Sequence, residues 1–438
     1  MTVNKLGFGF SARAARTVPQ PINYLITAGL RDKNLISLAA GLVDSGTLPT
    51  EELIELTTQV MRDPACNRLS LNYGDTCGLI ALRERVLEHI HELDGVSAAD
   101  LNINVDNVLL GSGSQQLLYF VSDVLLDPGD IVITEWPTYF VYTSVLTSLG
   151  ASVRAVEMDE QGMRMDSLEE TLRELKRSGE IKRLKIVYTV DYYQNPTGIT
   201  LSADRRPRLL ELVREYSTDH RICLLEDAAY RELAGEGQAP ATIKSYERDN
   251  AQVVLAQTFS KPFSPGLRTG YAILPDDLAK AVGNSKGNCD FGSSNFTQHL
   301  LWQAMRTGVY QKHAETLRKR YRAKRDCMLA ALDRAFQGFE GEISWTRPGG
   351  GLYVWVTLPE GMDSNKGSDL FETCLAQGVL YVPGEYCFGP DPRRQAPTNQ
   401  FRLTYGTVDE AAIEEGIARL AKAVRIVYAK SRHGAKAH

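Results

Sequence analysis

The chain carries none of the usual metal-binding signatures. Its seven histidines include no pair four residues apart, and His89 and His91 are two apart, so on a helix they point different ways. The seven cysteines, at positions 66, 77, 223, 289, 327, 374 and 387, are scattered, odd in number and without a Cys-x-x-Cys pair. That pattern argues against a zinc site or a disulfide scaffold and fits a reducing compartment. No apolar run approaches about 18 residues, so no transmembrane helix is expected. Charge of one sign does not dominate either. The net charge is −5 with no basic stripe, which argues against nucleic acid as a partner, and Lys430-Ser431-Arg432-His433 reads as a frayed tail. Residues 1–15 contain Lys5 and Gly7-Phe8-Gly9-Phe10 but no sustained apolar core, so they do not read as a signal peptide. A cytoplasmic enzyme is the expectation. No internal repeat or low-complexity segment is visible.

What is present is ordinary globular material, 43% hydrophobic and 24% charged over 438 residues. That length exceeds one core and implies roughly two or three domains. Residues 1–47 read as irregular, with one short helix near 21–29. Thr50, followed by Glu51 and Glu52, reads as the cap of a helix with acids in its first turn. Asn72-Tyr73-Gly74-Asp75 is a turn, and 79–93 a helix. From residue 105 short apolar strands alternate with helices. Strands are expected at 107–110, 131–135, 152–157, 184–190, 222–226, 253–258 and 269–274, with helices at 114–126, 138–149, 167–178 and 205–219. Such alternation means a mostly parallel sheet covered on both faces. The predicted class is α/β: a large domain, residues 48–295, with a mostly parallel seven-stranded sheet sandwiched by helices. Residues 1–47 and 296–438 then form a smaller α+β domain. Its long charged helix, 297–334, is expected to break near Gly308, and its last helix to span 409–428. Residues 384–400, rich in Gly and Pro, read as a loop.

Lys261 is the candidate reactive group. It follows the strand Val253-Val254-Leu255-Ala256-Gln257-Thr258-Phe259 and Ser260, and precedes Pro265-Gly266-Leu267-Arg268. An amine bonds to a carbonyl only when its proton is easily shed, and partial burial near other cations lowers its pKa. A lone lysine beside a turn is more often simply solvated, so its company matters. Gly111-Ser112-Gly113-Ser114-Gln115-Gln116 lies between a strand and a helix, where free backbone N–H groups suit a phosphate. A dinucleotide fingerprint would need glycine at 116, although Glu135 lies about where a ribose-binding acid would. The same segment also reads as a plain capped turn. Gln194-Asn195-Pro196-Thr197-Gly198 follows another strand and is a turn former, placed where ligands of open α/β sheets bind. Glu226-Asp227-Ala228-Ala229-Tyr230 ends a buried strand. A carboxylate there is costly unless paired, so Asp227 is either a cap or the partner of a cationic ligand. Arg268 offers a guanidinium fork suited to phosphate, or a surface ion pair.

Taken in order, Gly-Ser-Gln-Gln, Asn-Pro-Thr-Gly, Asp-x-x-Tyr and Ser-Lys-x(6)-Arg make a specific set. On these motifs the chain resembles the pyridoxal-phosphate-dependent aminotransferases of fold type I, class I/II, in the aspartate aminotransferase superfamily. Within it the chain is most similar to the kynurenine/2-aminoadipate aminotransferase branch. The resemblance spans about residues 38–424. It implies that Lys261 holds pyridoxal 5'-phosphate as an internal aldimine and later moves the proton. Asp227 would keep the pyridine nitrogen protonated, and Asn195 and Tyr230 would bond the phenolic oxygen. Ser114, Gln115, Ser260 and Arg268 would bind the phosphate. Thr258 stands where relatives often have Ser. Tyr139 matches the ring-stacking aromatic, and Tyr73 matches a tyrosine that reaches the partner subunit's phosphate, which implies a homodimer with active sites at the interface. Arg402 matches the arginine that grips the substrate α-carboxylate, a bidentate pair that also orients. Asn195 and Gly41 would also lie near the substrate.

The implied activity is transfer of an amino group from an L-amino acid to a 2-oxo acid, with 2-oxoglutarate the expected acceptor. A pyridoxal-phosphate-dependent lyase, decarboxylase or biosynthetic cyclase would use the same residues. A regulator on this fold would need an N-terminal winged-helix domain, whose pattern is missing from the residues ahead of the fold. In the side-chain pocket, Arg13, Arg16 and Arg31 could read a distal carboxylate or be solvated charges.

Overall fold

A computed structural model describes residues 8–21, 24, 34–339 and 342–434. Apart from residues 21 and 24, the helix expected near 21–29 lies outside the described residues, as does Arg31. Strand β1 (Ile36–Ser37) belongs to the N-terminal segment. Eight strands build the main sheet: β2 (Val108–Gly111), β3 (Ile131–Trp136), β4 (Ser152–Asp159), β5 (Gly162–Met163), β6 (Leu184–Thr189), β7 (Cys223–Asp227), β8 (Val253–Thr258) and β9 (Gly270–Ile273). Their order is β2-β9-β8-β7-β6-β3-β4-β5. The pairings among β3, β4, β6, β7 and β8 are parallel; β9 runs antiparallel to both β8 and β2. The seven expected strands are therefore all there, and an eighth, two residues long, pairs antiparallel with β4.

Apart from the partly exposed β4, these strands are buried on both faces, which is why they read as continuous apolar runs. Side chains alternate between two cores, as the two-residue period of a strand requires. On β3, Val132 packs into one core while Ile131 and Ile133 pack into the other. On β7 and the residue before it, Cys223 and Leu225 face the first core, Ile222 and Leu224 the second. The helix Met165–Ser178 shows the matching three-to-four spacing: Leu168, Thr171, Leu172 and Leu175 are buried, and Gly179 ends the helix at φ +77°.

A second sheet, ordered β10-β11-β14-β13, comprises β10 (Ser344–Trp345), β11 (Tyr353–Thr357), β13 (Val382–Pro383) and β14 (Gln400–Thr404). β12 (Val379–Leu380) pairs instead with β1, which ties the N-terminal segment to this half of the chain. The helices Asn295–Arg306 and Val309–Phe336 flank the expected break at Gly308, which has φ +77°. The last helix, Glu410–Gly434, packs along the second of these. Thr50 does not cap its helix but begins it. Its hydroxyl donates back to the Leu48 carbonyl (3.4 Å) instead of accepting from the first turn. Among the described residues no helix is long and apolar enough to cross a membrane.

Candidate active site

The strand order gathers the site. β6, β7 and β8 are neighbours and parallel, so the segments leaving their carboxyl ends, carrying Asn195, Asp227 and Lys261, emerge on one side. β9 lies between β8 and β2, with Gly270 opposite both Thr258 and Gly111. That register sets the start of helix Ser114–Leu125 beside Thr258, Ser260 and Arg268. From the other sheet, β14 contributes Arg402 from between β11 and β13.

A cavity of about 380 Å³ opens where these meet. Lys261, Asp227, Tyr230, Ser114, Gln115, Tyr139, Asn195, Thr258, Ser260, Arg268, Gly41 and Arg402 all line it. A larger, more open hollow of about 690 Å³ at the opposite ends of the strands holds none of them. Tyr73 is elsewhere. It is 84% exposed and meets Phe291 edge-on, ring centroids 5.5 Å apart. Arg13 pairs with Asp123 (3.2 Å) and Arg16 donates to the Ser148 carbonyl (3.3 Å). Both pin the short helix Ala12–Arg16 to the outer surface and neither reaches the cavity.

Lys261 Nζ donates to the Gly41 carbonyl (2.9 Å). Desolvation holds its pKa below the usual lysine range, aided by the Arg402 and Arg268 cations and opposed by Tyr353. Asp227, at the end of β7, accepts from the Tyr188 hydroxyl (2.9 Å) and the Ala229 N–H (3.3 Å). Burial pushes its carboxyl up to about 7 in spite of those two donors. A ring cation beside it would supply the missing counter-charge. Arg402 Nη1 donates to Asn195 Oδ1 and Nη2 to the Ala39 carbonyl, each at 2.6 Å. Its Nε, and Gln115 Oε1, are buried polar atoms with no partner among the described residues.

Around Ser114, Thr258, Ser260 and Arg268 the cavity wall is set by backbone and hydroxyls. Thr258 Oγ1 donates to Ser260 Oγ (3.0 Å) and accepts from the Ser260 N–H (3.1 Å). Arg268 adopts φ +47°, a left-handed conformation uncommon outside glycine, and reaches Ser260 Oγ (3.5 Å) and the Ser112 carbonyl (3.1 Å). Gly113, at φ +80°, leaves the helix start bare: a Cβ there would meet Arg268 Nη2 at 3.0 Å. A glycine cradle, free helix N–H groups and a guanidinium fork suit a phosphate. The orphaned Arg402 Nε suits a carboxylate, and Asp227, buried without a cation among the described residues, suits a ring nitrogen. The residues present fit a phosphorylated, aldehyde-bearing pyridine together with an amino acid.

Two groups escaped the sequence reading. Tyr188 steadies Asp227 from β6. Tyr353, 1% exposed at the head of β11, lines the cavity and bonds the Tyr230 hydroxyl (2.9 Å). Its signal was the run Gly349-Gly350-Gly351 just ahead. A Cβ at Gly350 would lie 2.3 Å from the Leu233 carbonyl oxygen, so that run marks a close crossing of chains.

Fold and cavity together define an α/β enzyme built around an enclosed lysine, a buried acid and two arginines. The family model for aminotransferase class I and II matches residues 33–420, and the chain belongs to that family. It is similar to the aromatic-amino-acid aminotransferase 1 of Thermococcus litoralis, 34% identical over 95% of this chain and 94% of the relative. It is likewise similar to the 2-aminoadipate transaminase of Thermus thermophilus, at 31% over 95% and 96%. Among solved structures it matches the kynurenine aminotransferase of Pyrococcus horikoshii in complex with PMP, with TM-score 0.85 and 34% identity, covering 95% of this chain and 96% of that one. The protein is a pyridoxal-phosphate-dependent aminotransferase of fold type I, in the kynurenine/aminoadipate branch. Lyase, decarboxylase and cyclase chemistry on the same fold is not favoured.

Proposed function

We propose that Lys261 is the attachment point and proton carrier of this aminotransferase, with Asp227 and Tyr230 as its catalytic partners. The convergence of Lys261, Asp227, Arg268 and Arg402 on one cavity carries this reading. Bound pyridoxal phosphate supplies an electron sink for the charge left when a bond at the substrate Cα breaks. Arg402 grips the substrate α-carboxylate, using an Nε that has no partner among the described residues and an Nη1 already fixed by Asn195. That grip would orient the substrate so that its Cα–H bond is the one presented to Lys261. Lys261, its pKa depressed by burial, is free enough of its proton to take one from Cα and return it. Asp227 would hold the ring nitrogen and supply its counter-charge. Asn195 and Tyr230 bond the phenolic oxygen, and Tyr139 stacks on the ring. Ser114, Gln115, Thr258, Ser260 and Arg268 hold the phosphate, and Gly41 borders the substrate.

The donor is an L-amino acid and the acceptor 2-oxoglutarate. The relatives' names point to aromatic amino acids and 2-aminoadipate as the first donors to try. Residues 48–295 form the cofactor-binding domain, and 1–47 with 296–438 the small domain. Two copies form a homodimer in which the exposed Tyr73 completes the other subunit's phosphate site, and the enzyme works in the cytoplasm. Purified protein is expected to be yellow and to fix its cofactor on borohydride reduction. Lys261→Ala is expected to abolish that reducible adduct, and its survival in the variant refutes the assignment.

A further inference from the structure

Tyr230 meets a second phenol across the cavity wall. Its hydroxyl lies 2.9 Å from that of Tyr353, the rings edge-on with centroids 5.4 Å apart and 80° between planes. Tyr230 hangs from the segment after β7 and Tyr353 from β11, so the contact bridges the two sheets. The Tyr353 ring also lies beneath the Arg402 guanidinium, 4.4 Å from Cζ to ring centre. Phenylalanine at 353 would fill the same space and keep that stacking. The hydroxyl therefore needs its own explanation, because room is left for it: a Cβ on Gly41 would sit 2.5 Å from Tyr353 Oη. The Gly41 carbonyl in turn receives Lys261 Nζ. One hydroxyl thus bonds Tyr230 and faces the segment whose carbonyl receives Lys261.

Donor bookkeeping settles the direction of the bond. A tyrosine hydroxyl has one proton and can accept with its lone pairs. Once Tyr230 gives its proton to an anionic oxygen in the cavity, only its lone pairs are left for Tyr353, which must then be the donor. A donor behind a donor strengthens the forward bond.

We propose that Tyr353 is a positioning residue of the transamination site: its hydroxyl donates to Tyr230 Oη and aims the Tyr230 proton at the cofactor's phenolic oxygen, while its ring holds the Arg402 guanidinium in place. This rests on the role assigned to Tyr230 above. A donor to the phenolic oxygen stabilises the state in which that oxygen carries most charge, which is the deprotonated chromophore. Weakening the donor therefore raises the pH midpoint of the bound cofactor's visible absorbance.

The test uses wild type, Y353F, Y230F and the double variant as holoenzymes loaded with pyridoxal phosphate. Y353F is expected to keep its cofactor and to raise the absorbance midpoint by ~0.3–1 pH unit, in the same direction as Y230F but less. In the Y230F background Y353F is expected to add nothing. The kcat of Y353F is expected to fall severalfold with KM for the amino donor within about twofold, since the ring on Arg402 is retained. If Y353F loses cofactor, G41A serves instead: its methyl group displaces the Tyr353 hydroxyl without removing it, and the same rise is expected. An unshifted midpoint in the variant that holds cofactor, or a Y353F shift that persists in full without the Tyr230 hydroxyl, overturns the proposal. A wild type that binds no pyridoxal phosphate overturns the assignment of Tyr230 as well, so the two failures are distinguishable.

Discussion

A single guanidinium shows how burial creates a binding group. Arg402 is almost fully enclosed, yet only two of its three nitrogens have partners among the described residues. An incoming carboxylate would satisfy the third and offset the charge. R402A is expected to raise KM for the amino donor by ~30–5000-fold while leaving bound cofactor intact, because truncating one partner of a buried charged pair costs about 2–5 kcal/mol. Loss of cofactor as the main effect in steady-state and absorbance measurements would contradict the carboxylate role. Glu135 illustrates the opposite balance. It accepts from Thr189 Oγ1 (2.6 Å), Val190 N–H (3.1 Å) and Gln194 Nε2 (2.6 Å), and so holds the turn carrying Asn195, yet burial still lifts its carboxyl from 4.5 to about 7. A carboxyl whose folded value is raised binds more protons in the native state between those two values. Its contribution to stability therefore falls as pH rises from about 4.5 to 7 and is level above. The stability difference between wild type and E135Q, followed by denaturant unfolding, is expected to change by roughly 2–4 kcal/mol across that window, at about 1.4 kcal/mol per unit. A constant difference would show that the carboxyl ionises normally. The role first considered for this acid, on a ribose, is excluded by its three internal bonds.

At the scale of elements, the proposed phosphate cradle depends on how closely three pieces of backbone approach. A Cβ at Gly270 would lie 2.6 Å from the Ser114 nitrogen, 2.7 Å from the Gln257 carbonyl oxygen and 2.8 Å from the Gly113 carbonyl carbon. These are main-chain atoms inside a sheet and at a helix start, so none can move cheaply. G270A is expected to destabilise the protein by about 2–4 kcal/mol and to lower cofactor retention with it. G266A, whose nearest neighbour would be Ser264 Oγ at 3.8 Å, is the control and is expected to unfold as wild type does. Thermal melts with and without pyridoxal phosphate check both. The elements themselves were mostly legible. Two-sided burial makes strands read as apolar runs, and a left-handed Gly308 stops a helix wherever it occurs. Less legible were Gly162–Met163, too short to show a period, and the start of the helix at Thr50, where a hydroxyl turns backward.

The whole molecule leaves apolar side chains uncovered on one side. Leu69, Leu71, Tyr73 and Phe291 are each more than 60% exposed. Asn295 Nδ2 holds this loop by donating to the Leu69 and Asn72 carbonyls (2.8 and 3.2 Å). A rigid, exposed apolar loop is the kind of surface a second copy covers. Sedimentation is expected to give twice 48.6 kDa, and Leu71→Asp to reduce the mass and weaken cofactor retention together. A wild type that is fully active as a monomer would refute the shared site.

Sequence alone determined the class of fold and the chemistry of the cofactor. Strand periodicity is local, and each motif sits at a strand end that topology then brings together. Tertiary structure alone decided what surrounds those groups. Tyr353 comes from a different sheet than Tyr230 and lies 123 residues away in the chain, so no spacing announces the bond between them. Likewise, the orphaned nitrogen of Arg402 and the raised carboxyls of Asp227 and Glu135 are products of burial. Burial depends on every element packed around a group, and no window of sequence contains that information.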